Sequence, residues 1–436
     1  MRRVWERRNF AEVALDRRHW GSTLSMLRTI VSLMVAAALA AVGVVPANGK
    51  GAFSDISSHW ARSTIEAAVA RGYVAGYPDG TFKPNANVTR AEFLAVVTRA
   101  SKLSVAAAQE PFADVPANHW AVDAINRGIG MGFIRPEDFG GGFKPNQALT
   151  RAEMVKWLVS GLAKSNADFA QAMEDTKETI LPFTEFYRNG FKKADIPYIA
   201  VALGTGLVGG FPDGSFGPDK PTTRAEVVTL LTRYLAVEGT NPANYRALNE
   251  LREVGTKGTN VVSLTNATWT RWMGKEAPIY DVMGDVIPFH NGAATATINK
   301  IIVVNFSKGL EMKDRGVYAP MFYFKFPNEL EDVYVVFSEL TVTPLRDISS
   351  TTTFADGIQS ITGFMMDHHK AKQFALKAIK LDSGVHEFST GAYYPELTDY
   401  FKKGVSRTLW TYTAHPKERS ISVGTTGGRR GGFVMH

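Results

Sequence analysis

Apolar residues recur at helical spacing through the first half of the chain. In the earliest example, Ile65, Ala68 and Val69 share one face of a segment that Ser58 can cap and that ends at Gly72. A second kind of segment begins at a threonine, and its inward positions recur three times, as Phe93, Val96 and Val97, then Met154, Trp157, Leu158 and Leu162, then Val227, Leu230, Leu231 and Tyr234. The pattern predicts pairs of helices joined by a turn, each too small to bury its apolar stripe alone.

One sequence unit is repeated three times around these helices. The first copy has Phe-x-Asp-Ile at 53–56, His-Trp-Ala at 59–61, Gly-Tyr-Pro-Asp-Gly-x-Phe-x-Pro at 76–84 and Thr-Arg-Ala-Glu at 89–92. Later copies end in the same Thr-Arg-Ala-Glu, at 150–153 and 223–226. We predict three repeats that converge on a shared three-fold core, with a polar surface segment inserted at 164–178; the repeats cover residues 52–104, 111–163 and 183–238.

The Thr-Arg-Ala-Glu element does more than start a helix. Threonine at the N-cap and glutamate at N3 form a capping box, so helix stability accounts for both residues. Arginine at N1 lies near the positive end of the helix dipole, where a cation is mildly unfavourable. Yet Arg90, Arg151 and Arg224 occupy this place in all three copies.

Two interpretations of these arginines remain open. A guanidinium beside free helix-terminal N–H groups forms an anion site, and it suits a carboxylate because it can bind two oxygens. The alternative is an intramolecular salt bridge, for example to Asp55 or Asp114. Trp60 and Trp120 also have two interpretations, as core residues or as flat faces on which a sugar can stack.

The three copies resemble S-layer homology domains, the modules that attach exported bacterial proteins to the cell envelope. The resemblance covers about residues 52–238. It implies a three-pronged helical fold with grooves between neighbouring units. It also implies a ligand, the secondary cell-wall polymer of Gram-positive bacteria, often through a terminal pyruvylated N-acetylmannosamine whose carboxylate is an anion for the arginines.

Carried over by motif, the resemblance assigns ligand contacts to nine residues: Asp55, Trp60, Gly76 and Arg90 in the first copy, Asp114, Trp120 and Arg151 in the second, and Gly210 and Arg224 in the third. The second copy departs from the pattern in its turn, at 138–141. The third copy has no tryptophan, and it has 191–198 where the aspartate and His-Trp-Ala should be. We expect one complete groove, one groove with altered turn contacts and one weak or lost groove.

The N-terminus has the pattern of an export signal. Residues 1–47 hold seven arginines against three acidic residues, and no charged residue lies between Thr29 and Gly49. This predicts a signal peptide over 1–47, cleaved near Ala47, with Met26 as an alternative start. An uncleaved anchor helix is the rival interpretation. Either way the remainder is expected outside the cell, at the cell wall or in an S-layer.

Composition narrows the chemistry. Four of the seven net positive charges lie in residues 1–47, so basicity does not indicate a nucleic-acid partner. The 436 residues contain no cysteine, which excludes disulfides, thiolate metal sites and cysteine catalysis. We predict no cofactor and no metal.

The second half is predicted as a linker at 239–258, a β-rich, sandwich-like domain at 259–423 and a disordered tail at 424–436. Strand candidates are 297–306, 321–326 and 333–343, and 370–380 suits a short helix or a strand. The fold class is therefore multidomain, with an α-helical pseudo-three-fold repeat domain followed by a β-rich domain.

Motifs for catalysis are scarce. Residues 204–209 match the sequence pattern of a dinucleotide-binding loop. Such a loop lies between a strand and a helix, whereas the repeats place this segment at a helix end. Six histidine and aspartate side chains could supply metal ligands, but their spacing favours solvated or core histidines: Asp367, His368, His369, His290, His386 and His415.

We therefore expect a non-enzymatic surface protein, anchored through a cell-wall polymer or a peptidoglycan-linked glycan, with self-assembly or other surface proteins as further partners. A wall-anchored glycan or peptide hydrolase, with the C-terminal half as catalyst, is the competing hypothesis. A peptidoglycan-bound spacer of the Gram-negative outer membrane differs only in the ligand of the anchor.

Overall fold

The computed structural model describes residues 53–106, 112–325, 332–355, 357, 368–378, 385–387 and 392–436. The predicted signal peptide lies outside these residues. Within them, no helix is both long enough and apolar enough to cross a membrane.

Helices dominate up to residue 265. The repeats contribute the pairs α1 (Arg62–Ala70) and α2 (Arg90–Ala100), α3 (Val122–Gly130) and α4 (Arg151–Ser165), and α6 (Ile196–Gly204) and α7 (Arg224–Val237). Between the second and third pairs lies α5 (Asp168–Asp175), and α8 (Arg246–Lys257) and α9 (Val261–Thr265) follow the third.

The predicted second helix of each repeat is confirmed. Thr89, Thr150 and Thr223 each cap their helix in a reciprocal box with the glutamate three residues later. All the predicted inward residues of these helices are buried except Val96, which is half-buried. The predicted Ser58 cap is wrong, because α1 starts after Ala61 and no described side chain caps it.

Backbone hydrogen bonds join the three repeats in a closed ring. Just before each second helix, Leu149 N donates to Val88 O, Thr222 N donates to Leu149 O, and Val88 N donates to Thr222 O, all at 2.8 to 2.9 Å. Each repeat therefore pairs with both of the others. The ring cannot form until all three repeats are present, which links their stability.

Two segments between the repeats and the sheets were predicted wrongly. The stretch 164–178 is not a surface insertion, because its helix α5 buries Phe169 and Ala172 in the core of the repeats. The predicted linker 239–258 is the helix α8, which buries Leu248, Leu251 and Val254 in the same core. At Gly255 a Cβ atom would lie 2.0 Å from Asp175 O, so the approach of α8 to α5 requires glycine there.

The second half contains two four-stranded antiparallel sheets. The first has the order β2 (Lys275–Ala277), β1 (Thr268–Trp272), β10 (Arg430–Val434), β9 (Ser420–Gly424), and the second has the order β3 (Ile287–Pro288), β4 (Ala294–Asn305), β5 (Val333–Pro344), β8 (Arg407–Pro416). A separate hairpin pairs β6 (Val385–Glu387) with β7 (Ala392–Tyr394). Short helices lie between strands: α10 (Ala319–Phe322), α11 (Thr351–Ala355), α12 (His368–Phe374) and α13 (Leu397–Tyr400).

Two of the three strand predictions are confirmed, since 297–306 and 333–343 correspond to β4 and β5. The strand at 321–326 is wrong. Its first residues end the helix α10, which has a proline in its first turn, and the described residues 323–325 lie in neither helix nor strand. For 370–380 the helix alternative holds as far as Phe374.

The predicted disordered tail at 424–436 is also wrong. Its residues form β10, which lies between β1 and β9 and buries Phe433 and Met435. The glycines suggested disorder, but Gly431 is needed for packing, because a Cβ there would lie 2.6 Å from Pro278 O. Glycine lets the 3-10 turn Ile279–Val282 pack against the strand.

One hydrophobic core runs across the boundary between the two halves. It contains helix residues such as Leu158, Leu231 and Leu251 together with Phe337 and Trp410 of the second sheet. A second core lies between the two sheets and includes Val303, Val336 and Ile421. The second sheet thus has one face against the helices and the other against the first sheet.

A buried glutamate lies at this boundary. Glu250 of α8 is fully buried, and its Oε2 accepts hydrogen bonds at 3.1 Å from Asn260 Nδ2 and from Val317 N. Its Oε1 lies 3.6 Å from Arg246 Nε. Burial raises the pKa of Glu250 to about 7, although these donors and Arg246 act in the opposite direction.

Glu250 should make the stability of the protein depend on pH. Its pKa in the folded state exceeds the ordinary 4.5, so the bound proton stabilises the fold below about pH 4.5, and that contribution is lost as the pH rises through about 7. We expect the wild type to lose about 3 kcal/mol of unfolding free energy between pH 4 and pH 8 that Glu250→Gln keeps, measured by denaturant titration. The exposed Glu276→Gln is the control, and parallel curves for wild type and Glu250→Gln would contradict the assignment.

Candidate functional site

Each of the three arginines crosses from its own repeat into the next one. Arg90 donates from Nη1 to Phe143 O at 2.7 Å and pairs through Nη2 with Glu153. Arg151 donates from Nη2 to Gly209 O at 2.8 Å, and its Nη1 lies 3.7 Å from Glu226 Oε1.

Arg224 returns from the third repeat to the first. It donates from Nε to Phe82 O and from Nη2 to Ala75 O, both at 2.9 Å. The contacts therefore run from the first repeat to the second, the second to the third and the third to the first. The backbone N–H groups of the same arginines donate in the same order, to Gln147 O, Lys220 O and Ala86 O.

The guanidinium groups also lie over aromatic rings of the repeat that they enter. Arg224 is 5.0 Å from the ring centre of Tyr77, Arg90 is 5.6 Å from Phe139, and Arg151 is 4.9 Å from Phe211. Burial lowers the pKa of Arg151 and of Arg224 below the ordinary value, and Glu226 partly offsets this for Arg151. These cations are thus desolvated, and carbonyl oxygens, carboxylates and ring faces replace the lost water.

The capping glutamates serve two purposes. Glu153 Oε2 accepts from Thr150 N at 3.0 Å, which caps its own helix, while Oε1 pairs with Arg90 of the preceding repeat. Glu226 has the same arrangement, with Oε2 accepting from Thr223 N at 2.8 Å and Oε1 facing Arg151. The glutamate that caps each of these two helices therefore also binds the arginine of the preceding repeat.

The salt-bridge interpretation of the arginines is thus realised with different partners from those predicted. Asp55 instead accepts from Phe82 N at 2.9 Å and from Lys83 N at 2.7 Å. Asp114 accepts at the same distances from Phe143 N and Lys144 N. Although burial acts to raise it, these two N–H groups hold the pKa of Asp114 below its ordinary value.

The third repeat has an acidic residue that sequence reasoning missed. Glu185 Oε1 accepts from Phe216 N at 3.0 Å and from Gly217 N at 2.8 Å, the place that Asp55 and Asp114 occupy in the other copies. The signal was present, because 183–186 reads Phe-Thr-Glu-Phe and matches Phe-x-Asp-Ile when glutamate is allowed for aspartate. The sequence pattern instead matches 191–198 to the aspartate and His-Trp-Ala of the other copies. In the structure this segment contains the turn Lys193–Asp195 and the first residues of α6.

The structure regroups the predicted ligand residues. Asp55 and Gly76 belong to the turn that Arg224 enters, Asp114 to the turn that Arg90 enters, and Gly210 to the turn that Arg151 enters. Each set therefore combines the turn of one repeat with the arginine of the preceding repeat. The prediction that Arg90 and Asp55 contribute to the same ligand set, because both belong to the first copy, does not match this grouping.

The two predicted tryptophans differ, because Trp60 lies at the surface whereas Trp120 packs against the core of the repeats. Trp60 is 66% exposed, and its ring centre lies 5.4 Å from that of His59. Trp120 is half-buried and is stacked on His119. Trp60 therefore has a ring face that a ligand can reach.

A polar groove of about 420 Å³ opens between the second and third repeats. Its cations are Arg90, Lys156 and Lys192, and its carboxylates are Asp138, Glu153, Asp195 and Asp219. A much smaller cavity of about 30 Å³ beside Arg224 is mainly apolar and includes Val74, Phe82 and Val227.

The described histidines are not grouped with other possible metal ligands, and the glycine-rich segment lies at a helix end. Among the described residues, no three histidine, aspartate or glutamate side chains form a metal-binding group. His415 is buried, which lowers its pKa to about 4, and its Nε2 lies 2.8 Å from Thr413 Oγ1. Asp367 and the side chains of His368 and His386 lie outside the described residues. Gly204 ends the helix α6, as predicted from the repeats.

Comparison with known proteins supports the repeat assignment. A family model described as the S-layer homology domain matches residues 52–94, 111–155 and 191–228, so the chain carries three such domains.

Relatives share part of the chain. Cell surface glycoprotein 1 of Acetivibrio thermocellus is 31% identical over 171 residues, which cover 38% of this chain and 7% of that protein. The cellulosome-anchoring protein of the same organism is 43% identical over 81 residues, 18% of each. S-layer protein EA1 of Bacillus anthracis is 28% identical over 215 residues, 48% of this chain and 23% of that protein. The chain thus spans less than a quarter of the length of these relatives.

The contact between Arg90 and Glu153 should couple the first two repeats energetically. In a double-mutant cycle with Arg90→Ala and Glu153→Gln, we expect a coupling energy of about 2 kcal/mol, because the pair is desolvated and each single change leaves a buried polar partner. Unfolding free energies from denaturant titration measure it. The matched control is Arg62 and Glu66, an exposed pair for which we expect less than about 0.5 kcal/mol. Equal coupling in both pairs would show that the contact between repeats is not special.

Proposed function

We propose that this chain holds an exported protein non-covalently at the bacterial cell wall through its S-layer homology domains. The observation that carries the proposal is the presence of three such domains, closed into one ring, with a polar groove between the second and the third. The domains and the surface-protein relatives indicate a secreted, wall-anchored protein.

We further infer that the repeats are related by a pseudo-three-fold axis. The support is the cyclic order of the contacts, because the arginine at the start of each second helix donates, through its side chain and its backbone N–H, to the repeat that follows. The repeats are not equivalent at the surface, since only the first two carry a tryptophan.

The ligand that we propose is an anionic, pyruvylated secondary cell-wall polysaccharide. Arg90, Lys156 and Lys192 supply positive charge along the groove. The exposed ring of Trp60 in the first repeat offers a separate face on which a sugar can stack. Arg90 is held by Phe143 O and Glu153, so it meets a ligand in a fixed orientation.

For the C-terminal half we propose a structural or interaction role without catalysis. The support is that both faces of the sheet formed by β3, β4, β5 and β8 are used for packing, one against the helices and one against the other sheet. This half is therefore carried as a body continuous with the anchor.

The anchoring proposal predicts that the full chain sediments with cell-wall sacculi, and that this binding is lost after the secondary polymer is stripped from them. The polymer supplies the anionic groups, so raised salt should also weaken binding. Equal pelleting with intact and stripped sacculi would overturn the proposal.

A substitution tests the stacking surface. Trp60→Ala should weaken binding to intact sacculi about fivefold, because a sugar on an aromatic face contributes about 1 kcal/mol. The matched control is Trp272→Ala, an exposed tryptophan of the C-terminal half, which should bind as the wild type does. A loss of equal size in both variants would count against a specific role for Trp60.

A further inference from the structure

The strand β9 lies at an edge of the first sheet. β10 pairs with one of its sides, and within the described part of the chain no strand pairs with the other. Its residues, Ser420–Gly424, are alternately exposed and buried, and none of them is charged. An edge strand presents a row of backbone N–H and C=O groups that a further strand can bind. The first sheet can therefore be extended at β9.

Backbone geometry shows which groups of β9 are free. Directly after the strand, Thr425 N donates to Arg429 O at 2.9 Å, on the side of β10. Backbone groups in an antiparallel pair point alternately toward and away from the neighbouring strand. The groups that point outward, which have no hydrogen-bond partner among the described residues, therefore belong to three alternate positions: Ser420, Ser422 and Gly424.

The other edges of the two four-stranded sheets are protected. β2 has three residues, and two of them are the charged Lys275 and Glu276. β3 has two residues and ends in Pro288. β8 is covered in its middle, where Trp410 N donates to Lys377 O at 2.8 Å. Charge, proline, short length and covering segments all prevent pairing at an edge, and among the described residues β9 has none of them.

The sequence of β9 has nearly the same pattern in both directions. It reads Ser-Ile-Ser-Val-Gly, with Ser422 at the centre, an aliphatic residue on each side and a small residue at each end. In a second copy aligned antiparallel about this centre, Ser422 lies opposite Ser422, and Ser420 lies opposite Gly424. All the outward groups then have partners, and about six backbone hydrogen bonds can form. A shift by two residues leaves an outward residue of each copy without a partner.

The charges next to β9 fit the same alignment. Glu418 and Arg419 precede the strand, and Thr425 and Thr426 follow it. In the alignment about Ser422, Arg419 lies opposite Thr425 of the second copy, and Glu418 lies opposite Thr426. Like charges directly opposite each other destabilise a strand pair, and this alignment brings none together.

We propose that two copies of this chain associate through β9, antiparallel and about a two-fold axis at Ser422, so that their first sheets become one continuous sheet. The contact uses the same surface of both copies, so it closes as a dimer. It goes beyond the proposed function, because it uses the C-terminal half and no residue of the repeats. Chains held on one wall would meet at high local concentration, which favours a small contact of this kind.

Sedimentation equilibrium of the full chain tests the proposal. A pair of five-residue strands is smaller than a standard interface, so we expect a monomer–dimer equilibrium with a dissociation constant on the order of 10 µM. A chain that stays monomeric up to about 100 µM would overturn the proposal.

Charge substitutions at the two-fold axis locate the contact. Ser422→Lys and Ser422→Glu should each raise the dissociation constant about fivefold, because two like charges then face each other. An equimolar mixture of the two variants should dimerise at least as tightly as the wild type, because lysine faces glutamate. The matched control is Ser420→Lys, whose lysine lies opposite Gly424 and should leave the dimer unchanged. Equal losses in Ser420→Lys and Ser422→Lys, with no recovery in the mixture, would contradict the alignment.

The absence of cysteine from the chain allows a test of distance. In the dimer, Ser422→Cys places two Cα atoms about 5.5 Å apart, which suits a disulfide. The two Cα atoms of Ser420→Cys are separated by about 13 Å along the strands, beyond the reach of a disulfide. Oxidation by air with copper–phenanthroline should therefore give covalent dimers of the first variant and not of the second on a non-reducing gel. Equal cross-linking of both variants would overturn the proposal.

Sedimentation with sacculi separates this inference from the anchoring function. A chain that pellets with intact sacculi but stays monomeric in solution keeps the anchoring function and loses the dimer. A chain that dimerises through Ser422 but does not pellet keeps the dimer and loses the anchoring function.

Discussion

The guanidinium groups that cross between repeats are the contacts on which the helical half depends. A single helix pair has too little apolar surface for a core, so the repeats must be held together by contacts that belong to no one of them. Arg90, Arg151 and Arg224 supply these contacts by binding carbonyl oxygens of the next turn. Because Glu153 and Glu226 both cap a helix and receive an arginine, the same two side chains stabilise the local helices and the contacts between repeats.

Residues with a local cause were predictable, and residues with a distant partner were not. The capping boxes at Thr89, Thr150 and Thr223 depend on residues three apart, so the sequence shows them directly. The partners of Arg90 lie more than 50 residues away, in a repeat whose position only the fold determines. The sequence therefore indicates that the arginines need an acceptor, but the acceptors suggested for an intramolecular salt bridge, Asp55 and Asp114, are wrong.

Two wrong predictions concern the segments 239–258 and 424–436. The first was predicted as a linker, but it contains α8, whose Glu250 and Glu253 are buried and accept hydrogen bonds from the backbone N–H groups of Val317, Val262 and Ser263. The glycines of the last strand suggested disorder, yet they allow close packing of backbone. In both cases a residue type that is common on surfaces is buried for a reason that only tertiary contacts reveal. The result is a continuous core rather than two domains on a flexible connection.

The position of β10 has a consequence for how the protein reaches its final form outside the cell. This strand lies between β1 and β9, so Thr268 pairs with Val434 across more than 160 residues. The first sheet can therefore assemble only after residue 434 has left the ribosome, and until then β1 has no central neighbour. The ring of repeats imposes a similar delay on the first helices, because Val88 waits for Thr222. A chain with late closure in both halves completes its fold only when nearly all of its residues are available, Thr222 for the ring of repeats and Val434 for the first sheet.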